Sequence, residues 1–341
     1  MNSTVMKRVL TIVCPLILSA CSFADMGAEK PVDEQAPLLF SDHPMAEKIW
    51  DVQGRHFVAK EQLLADALSS RHLLLGETHD NVLHHRYETW ILDALAAQKK
   101  SAAVSFEMIS RDQLAPLAGR QPASTKELIT TLNKVKTSWG YEQFYRPLFA
   151  SVLRAGYPLF AASLGRSELM AIARGGKQHI PQQVRPLLEK TVLSPEQQSS
   201  LREEIKQSHC GMLDDRMAAM MVSTQQVKDA VMAQSMLQQS TQDVRVLVAG
   251  SGHGRKDRGV PLYLRSQDST GKIVSIAWIE VVPDMTKVVD YARAWGSETL
   301  PYDYVWFTAR VGRPDPCESF KRHMHKKRAE PAKQRQLDKT I

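Results

Sequence analysis

Cysteine is scarce: four occur in 341 residues, and no two of them form a Cys-x-x-Cys pair. An HExxH motif, a phosphate-binding loop and a nucleophile elbow are also missing, which removes the most familiar signatures of zinc proteases, nucleotide hydrolases and serine esterases. The apolar run near the amino terminus is about a dozen residues, short of the roughly 20 needed to cross a bilayer core of ~30 Å. A permanent transmembrane helix is therefore not expected. Charge is not spread evenly either. The formal net charge is +7, but between Glu318 and Ile341 eight Lys or Arg stand against three Asp or Glu, with Phe320 the one aromatic. The excess thus belongs to a polar tail, not to a basic groove with interleaved aromatics, and nucleic acid is not an expected partner.

What is present at the amino terminus is a leader pattern. Lys7-Arg8 precede an apolar stretch, Val9 to Ile17, which closes in Leu18-Ser19-Ala20-Cys21. This resembles a bacterial lipoprotein signal with its lipobox. The expected organisation is a signal peptide over 1–20, a tether over 21–44 with Cys21 acylated, a folded domain over 45–317 and a basic tail over 318–341. Ser22 after the cysteine resembles lipoproteins sorted to the outer membrane. With Cys14 lost with the signal and Cys21 carrying lipid, Cys210 and Cys317 remain, and an oxidising envelope invites them to pair.

The folded part is organised around Leu73-Leu74-Leu75-Gly76-Glu77-Thr78-His79-Asp80-Asn81. A short apolar run reads as a strand covered on both faces. It breaks at a glycine, delivers an acid and an imidazole, and leads through an Asp80 or Asn81 cap into a helix reaching about Gln98. Further strands are expected at 102–106 ending in Glu107, at 158–162 ending near Ser163 and Arg166, and at 244–249 running into Gly250-Ser-Gly-His253. Two more are read at 272–281 and 304–309, including a hairpin or an edge, and Ile49 to Val58 reads as a strand pair broken at Gly54. Strands alternating with helices predict an α/β fold with a mostly parallel central sheet flanked by helices. Helical insertions at about 108–155 and 166–240 are expected to form a lid over the carboxyl ends of the strands. Open α/β sheets place their ligand crevices at those ends, so Glu77, His79, Glu107 and His253 should converge.

Several segments in matching order resemble the ChaN family of haem-binding lipoproteins, within the Tiki and erythromycin-esterase-like superfamily. They are Leu74-Leu-Gly-Glu-Thr-His-Asp-Asn-Val-Leu-His-His85, His209-Cys-Gly211, Gln226-Val-Lys-Asp-Ala-Val-Met-Ala233, Val248-Ala-Gly-Ser-Gly-His-Gly-Arg255 and Asp303-Tyr-Val-Trp-Phe-Thr308. The resemblance implies a surface haem-binding role in iron uptake, a tyrosine ligand to the iron and a helical cover. Tyr145 is the first choice of ligand, followed by Tyr141 and Tyr87, with His209 or His253 as a second ligand or donor. Arg146, Arg166 and Arg255 are the candidates for the propionates. Expected partners are haem, the lipid membrane through Cys21, a second copy of the chain on haem binding, and an outer-membrane haem receptor. The alternative is a hydrolase in which Glu77, His79, Glu107 and His253 bind a divalent metal or activate water directly.

Overall fold

The computed structural model describes residues 36–117, 119–315, 317–318 and 321–322. The signal, Cys21, most of the tether and all but a few residues of the tail lie outside them. In chain order the elements are β1 Leu38–Leu39, β2 Ile49–Asp51, β3 His56–Val58, α1 Lys60–Leu68, β4 His72–Glu77, α2 Val82–Ala97, β5 Ala102–Ser110, α3 Arg111–Leu114 and α4 Thr125–Leu132. A π-helical turn, Tyr141–Tyr145, leads into α5 Arg146–Arg154 and then β6 Leu159–Ser163, α6 Arg166–Ala173, α7 Arg185–Lys190, α8 Pro195–Ser208 and α9 Asp215–Leu237. The chain continues through β7 Val244–Gly250, a 3-10 turn Ser251–Gly254, α10 Val260–Arg265, β8 Ile273–Glu280, α11 Val288–Ala294, β9 Tyr304–Thr308 and β10 Arg310–Val311.

Eight strands form the central sheet in the order β3-β2-β9-β8-β4-β7-β5-β6. The six from β9 to β6 run parallel to their neighbours; β2 and β3 add an antiparallel hairpin at the edge. Every residue of β4 is buried, as its apolar run predicts. Because side chains alternate along a strand, Leu73 and Leu75 enter one core, with Ile91 and Leu95 of α2, Leu128 of α4 and Phe149 of α5. Leu74 enters the opposite core, with Val227, Ala230 and Val231 of α9 and Tyr263 of α10. Asn81 caps α2 by accepting from the Leu83 N–H, while Asp80 pairs with Arg313 instead.

Two expectations need correction. The chain joins the fold before residue 45, since Leu38–Leu39 pairs with β10 in a separate two-stranded ladder. β5 does not stop at Glu107 but continues to Ser110, its register shifting beyond Phe106. Within the two helical intervals, α5 packs against α2 on one face of the sheet and α9 contacts β5, β6 and β7 on the other, while α6, α7 and α8 pack on α9. Met232 and Met236 are accordingly core residues of the α9 face, and Met221 belongs to a smaller cluster with Leu201 and Ile205 of α8. A disulfide joins Cys210 to Cys317.

Candidate functional site

The sheet order makes β4, β7 and β5 consecutive neighbours, and register does the rest. Glu77 lies level with Gly250, and Phe106, the residue before Glu107, lies level with Val248. Glu77, His79, Glu107 and His253 are thereby brought into one buried cluster at the carboxyl ends of the strands, each 5 % exposed or less.

Glu77 Oε1 lies 2.6 Å from His79 Nδ1 and accepts from the Tyr145 hydroxyl at 2.7 Å. Glu107 Oε1 accepts from the Lys228 ammonium at 2.9 Å and lies 3.1 Å from His253 Nε2, and its Oε2 accepts from the Gly250 N–H at 2.8 Å. His253 Nδ1 is hydrogen-bonded to Asp229. His79 Nε2 stands 3.8 Å from Glu107 Oε2, linking the two halves, and the half-buried Trp139 ring meets the His79 imidazole edge-on at 4.8 Å. Space is tight at Gly250: a Cβ on it would stand 3.0 Å from His79 Nε2, so the imidazole would have to shift.

The charges compensate one another. Burial alone would raise both glutamates, but His85 and His79 hold Glu77 well below the usual carboxylate range, and His253 and Lys228 do the same for Glu107. Burial opposes charge on His253, yet Glu107 and Asp229 outweigh it and lift its pKa to about 9. Desolvation keeps Asp229 above its ordinary value. A histidine whose folded pKa lies above its unfolded value of ~6.5 stabilises the fold fully below that pH and loses the contribution as pH rises through about 9. Urea unfolding at pH 6 and pH 10 should therefore show a loss on the order of 3 kcal/mol from this group. That loss should vanish in His253→Gln; an equal loss in the variant would assign it elsewhere.

Four members of the cluster were not legible as site residues: His85 and Glu88 on α2, and Lys228 and Asp229 on α9. Each is buried. The signal for the latter pair was present, because two charged residues interrupt the apolar run Val227, Ala230, Val231, Met232. Such a pair on a buried helix face must find polar partners.

The haem candidates fare differently. Tyr145 stands in the cluster, but its ring is fully buried and its hydroxyl is donated to Glu77; burial and that carboxylate push its pKa well up. Tyr141 is also buried and gives its hydroxyl to the Met108 carbonyl at 2.6 Å. Tyr87 lies on a different face, half-buried, stacked on Trp306 at 4.1 Å and donating to Glu47 at 2.5 Å. It borders a surface cleft of about 560 Å³ lined also by Ile49, Val58, Lys60, Arg86, Trp90 and Trp306. His209 closes α8, with Nδ1 against the Ile205 carbonyl at 2.8 Å. Arg146 is exposed and paired with Glu142, Arg166 is exposed in the first turn of α6, and Arg255 is buried against Asp257 and Glu204. None of the three arginines is brought to the cleft or into hydrogen-bond contact with the four strand-end residues.

Residues 63–264 match the model of a family described as haem-binding uptake, Tiki superfamily, ChaN. Among solved structures, one describing cofacial haem binding to ChaN of Campylobacter jejuni is 25 % identical, spans 76 % of this chain and 95 % of that one, and superposes with a TM-score of 0.59. The type III effector HopBA1 is 10 % identical over 82 % of this chain and 99 % of its own, with a TM-score of 0.41. An erythromycin esterase mutant, EreC in its open conformation, is 10 % identical over 80 % and 99 %, with a TM-score of 0.40. No curated protein matches the chain.

Proposed function

The chain belongs to the ChaN family of haem-binding uptake proteins, in the Tiki superfamily, and on that premise we propose a lipid-anchored envelope protein that holds ferric haem on a tyrosine oxygen. The observation that carries the choice of tyrosine is exposure. A phenolate ligand must present its oxygen to an open face, and all the tyrosines except Tyr87 are buried. Tyr87 borders a cleft walled by Ile49, Val58, Trp90 and Trp306, which suits a flat apolar macrocycle, and Lys60 and Arg86 on the same cleft suit its propionates. Were haem iron held there, Glu47, the exposed carboxylate that accepts from the hydroxyl, would be placed to take the phenol proton. The cofacial haem binding of the Campylobacter protein supports a paired arrangement with a second copy of this chain. The lipobox-like segment ending in Cys21 supports lipid anchoring and the Cys210–Cys317 disulfide supports export; an outer-membrane haem receptor is the partner we propose.

Titration with ferric haem tests this. Saturable binding with a phenolate charge-transfer band is expected, and the band should disappear in Tyr87→Phe and persist in Tyr145→Phe. The reverse result would move the ligand to Tyr145 and require the segment bearing Trp139 to withdraw. Size measurement at saturating haem should show a dimer; a monomer would remove the paired arrangement.

A second reading rests on the convergence of Glu77, His79, Glu107 and His253. A carboxylate 2.6 Å from an imidazole is the pairing used to activate water. Absence of saturable haem binding would move the assignment to that hydrolytic reading.

A further inference from the structure

We propose that Glu77, His85 and Glu88 form a binding site for one divalent transition-metal ion of the zinc class. It is separate from the haem cleft and does not depend on it. Each residue offers one ligand atom, and the three atoms lie within 4.8 Å of one another in the buried interior. His85 and Glu88 stand three apart on α2 and so share a helix face, while Glu77 reaches them from the end of β4.

The surroundings orient each ligand. His85 Nε2 is 3.0 Å from the His79 carbonyl oxygen, which can only accept, so that nitrogen carries a proton and Nδ1 is turned toward the two carboxylates. Nδ1 lies 2.9 Å from Glu77 Oε2 and 3.2 Å from Glu88 Oε2. Atoms bound tetrahedrally at ~2.0–2.1 Å from zinc sit ~3.3 Å apart, close to this spacing. Glu77 Oε1 is occupied by His79 and Tyr145, which leaves Oε2 facing His85.

The independent observation is unsatisfied polarity. Glu88 Oε1 is buried with no hydrogen-bond partner, and Glu77 Oε2 has none either, its close approach to Nδ1 lacking hydrogen-bond alignment. Glu77 Oε2 is the orphan that faces Nδ1, and two orphaned carboxylate oxygens in the interior are costly unless something positive approaches them. The two carboxylates offer two negative charges to a divalent ion, so the cation need not enter the interior uncompensated. One imidazole with two carboxylates suits zinc or a neighbouring first-row ion better than calcium, which takes oxygen alone.

The test is calorimetric titration of the chelator-treated protein with zinc chloride, alongside elemental analysis and X-ray absorption of the zinc-loaded wild type. Expected are one zinc per chain at this site, a first shell containing a single imidazole and no sulfur, and about 100-fold or greater weakening in Glu88→Gln, whose fold is checked by circular dichroism. Failure of the wild type to bind, unchanged affinity in a folded Glu88→Gln, or a shell with two or more imidazoles would overturn the proposal. The last result would point to His79 with His253, or to His323 with His325 in the tail. If Glu88→Gln does not fold, the wild-type absorption spectrum alone decides.

Discussion

Replacing Glu107 with glutamine is expected to lower the unfolding free energy by about 3–5 kcal/mol, read from urea denaturation at neutral pH. The carboxylate is the hub of the cluster: it receives Lys228, the Gly250 N–H and His253 while lying almost fully buried. Glutamine keeps the shape and one acceptor oxygen but removes the negative charge. It also turns an amide N–H₂ toward donors, and Lys228 and His253 are left as buried cations without their shared partner. The cost is that of orphaned charge, so it should be relieved by removing the orphan. Lys228→Met in the Glu107→Gln background is expected to recover a measurable part of the loss, making the two substitutions less than additive. Full additivity would mean that the ammonium and the carboxylate do not depend on each other, and the reading of the cluster as a compensated set would fall.

Opening the Cys210–Cys317 disulfide should cost about 2–5 kcal/mol, because the bond closes a loop between residues 107 apart and long loops lose most entropy in the unfolded chain when cross-linked. Its placement matters as much as its length. Cys210 follows α8 in the left-handed backbone region, with a φ of 60°. Cys317 lies just beyond β10, so the bond fastens the α8–α9 corner to the segment that follows β10. Thermal melts of the wild type with and without reductant, compared with Cys317→Ser, check this. The reduced protein and the variant should share one lowered midpoint, while an unchanged midpoint would show that the corner is held by its own apolar cluster of Leu201, Ile205, Leu213 and Met221.

Local signals carried much of the fold. A three-leucine run bounded by Gly76 can only be a short buried strand or part of a buried helix, and the following cap and helical spacing decide for the strand. The same logic located β5, β6, β7, β8 and β9 to within a few residues. It failed at β1, where Leu38-Leu39 is too short to carry a pattern and forms a strand only because β10 supplies its partner. It did not decide the placement of the helical intervals. Apolar spacing says that a helix buries a face, but not whether the buried face meets the sheet or the strand ends.

The site divides along the same line. Residue type and position at the ends of strands were enough to single out Glu77, His79, Glu107 and His253, since a polar residue directly after a buried strand has few roles other than a crevice. That these strands are neighbours, that α9 brings Lys228 and Asp229 to meet them, and that Tyr145 is sealed inside while Tyr87 reaches the surface are properties of strand order and packing. Strand order is set by contacts between residues more than a hundred positions apart, such as Glu77 level with Gly250. The chain therefore declares which residues need partners, because burial and charge are local properties. Which partners they receive is decided only when the long-range packing closes.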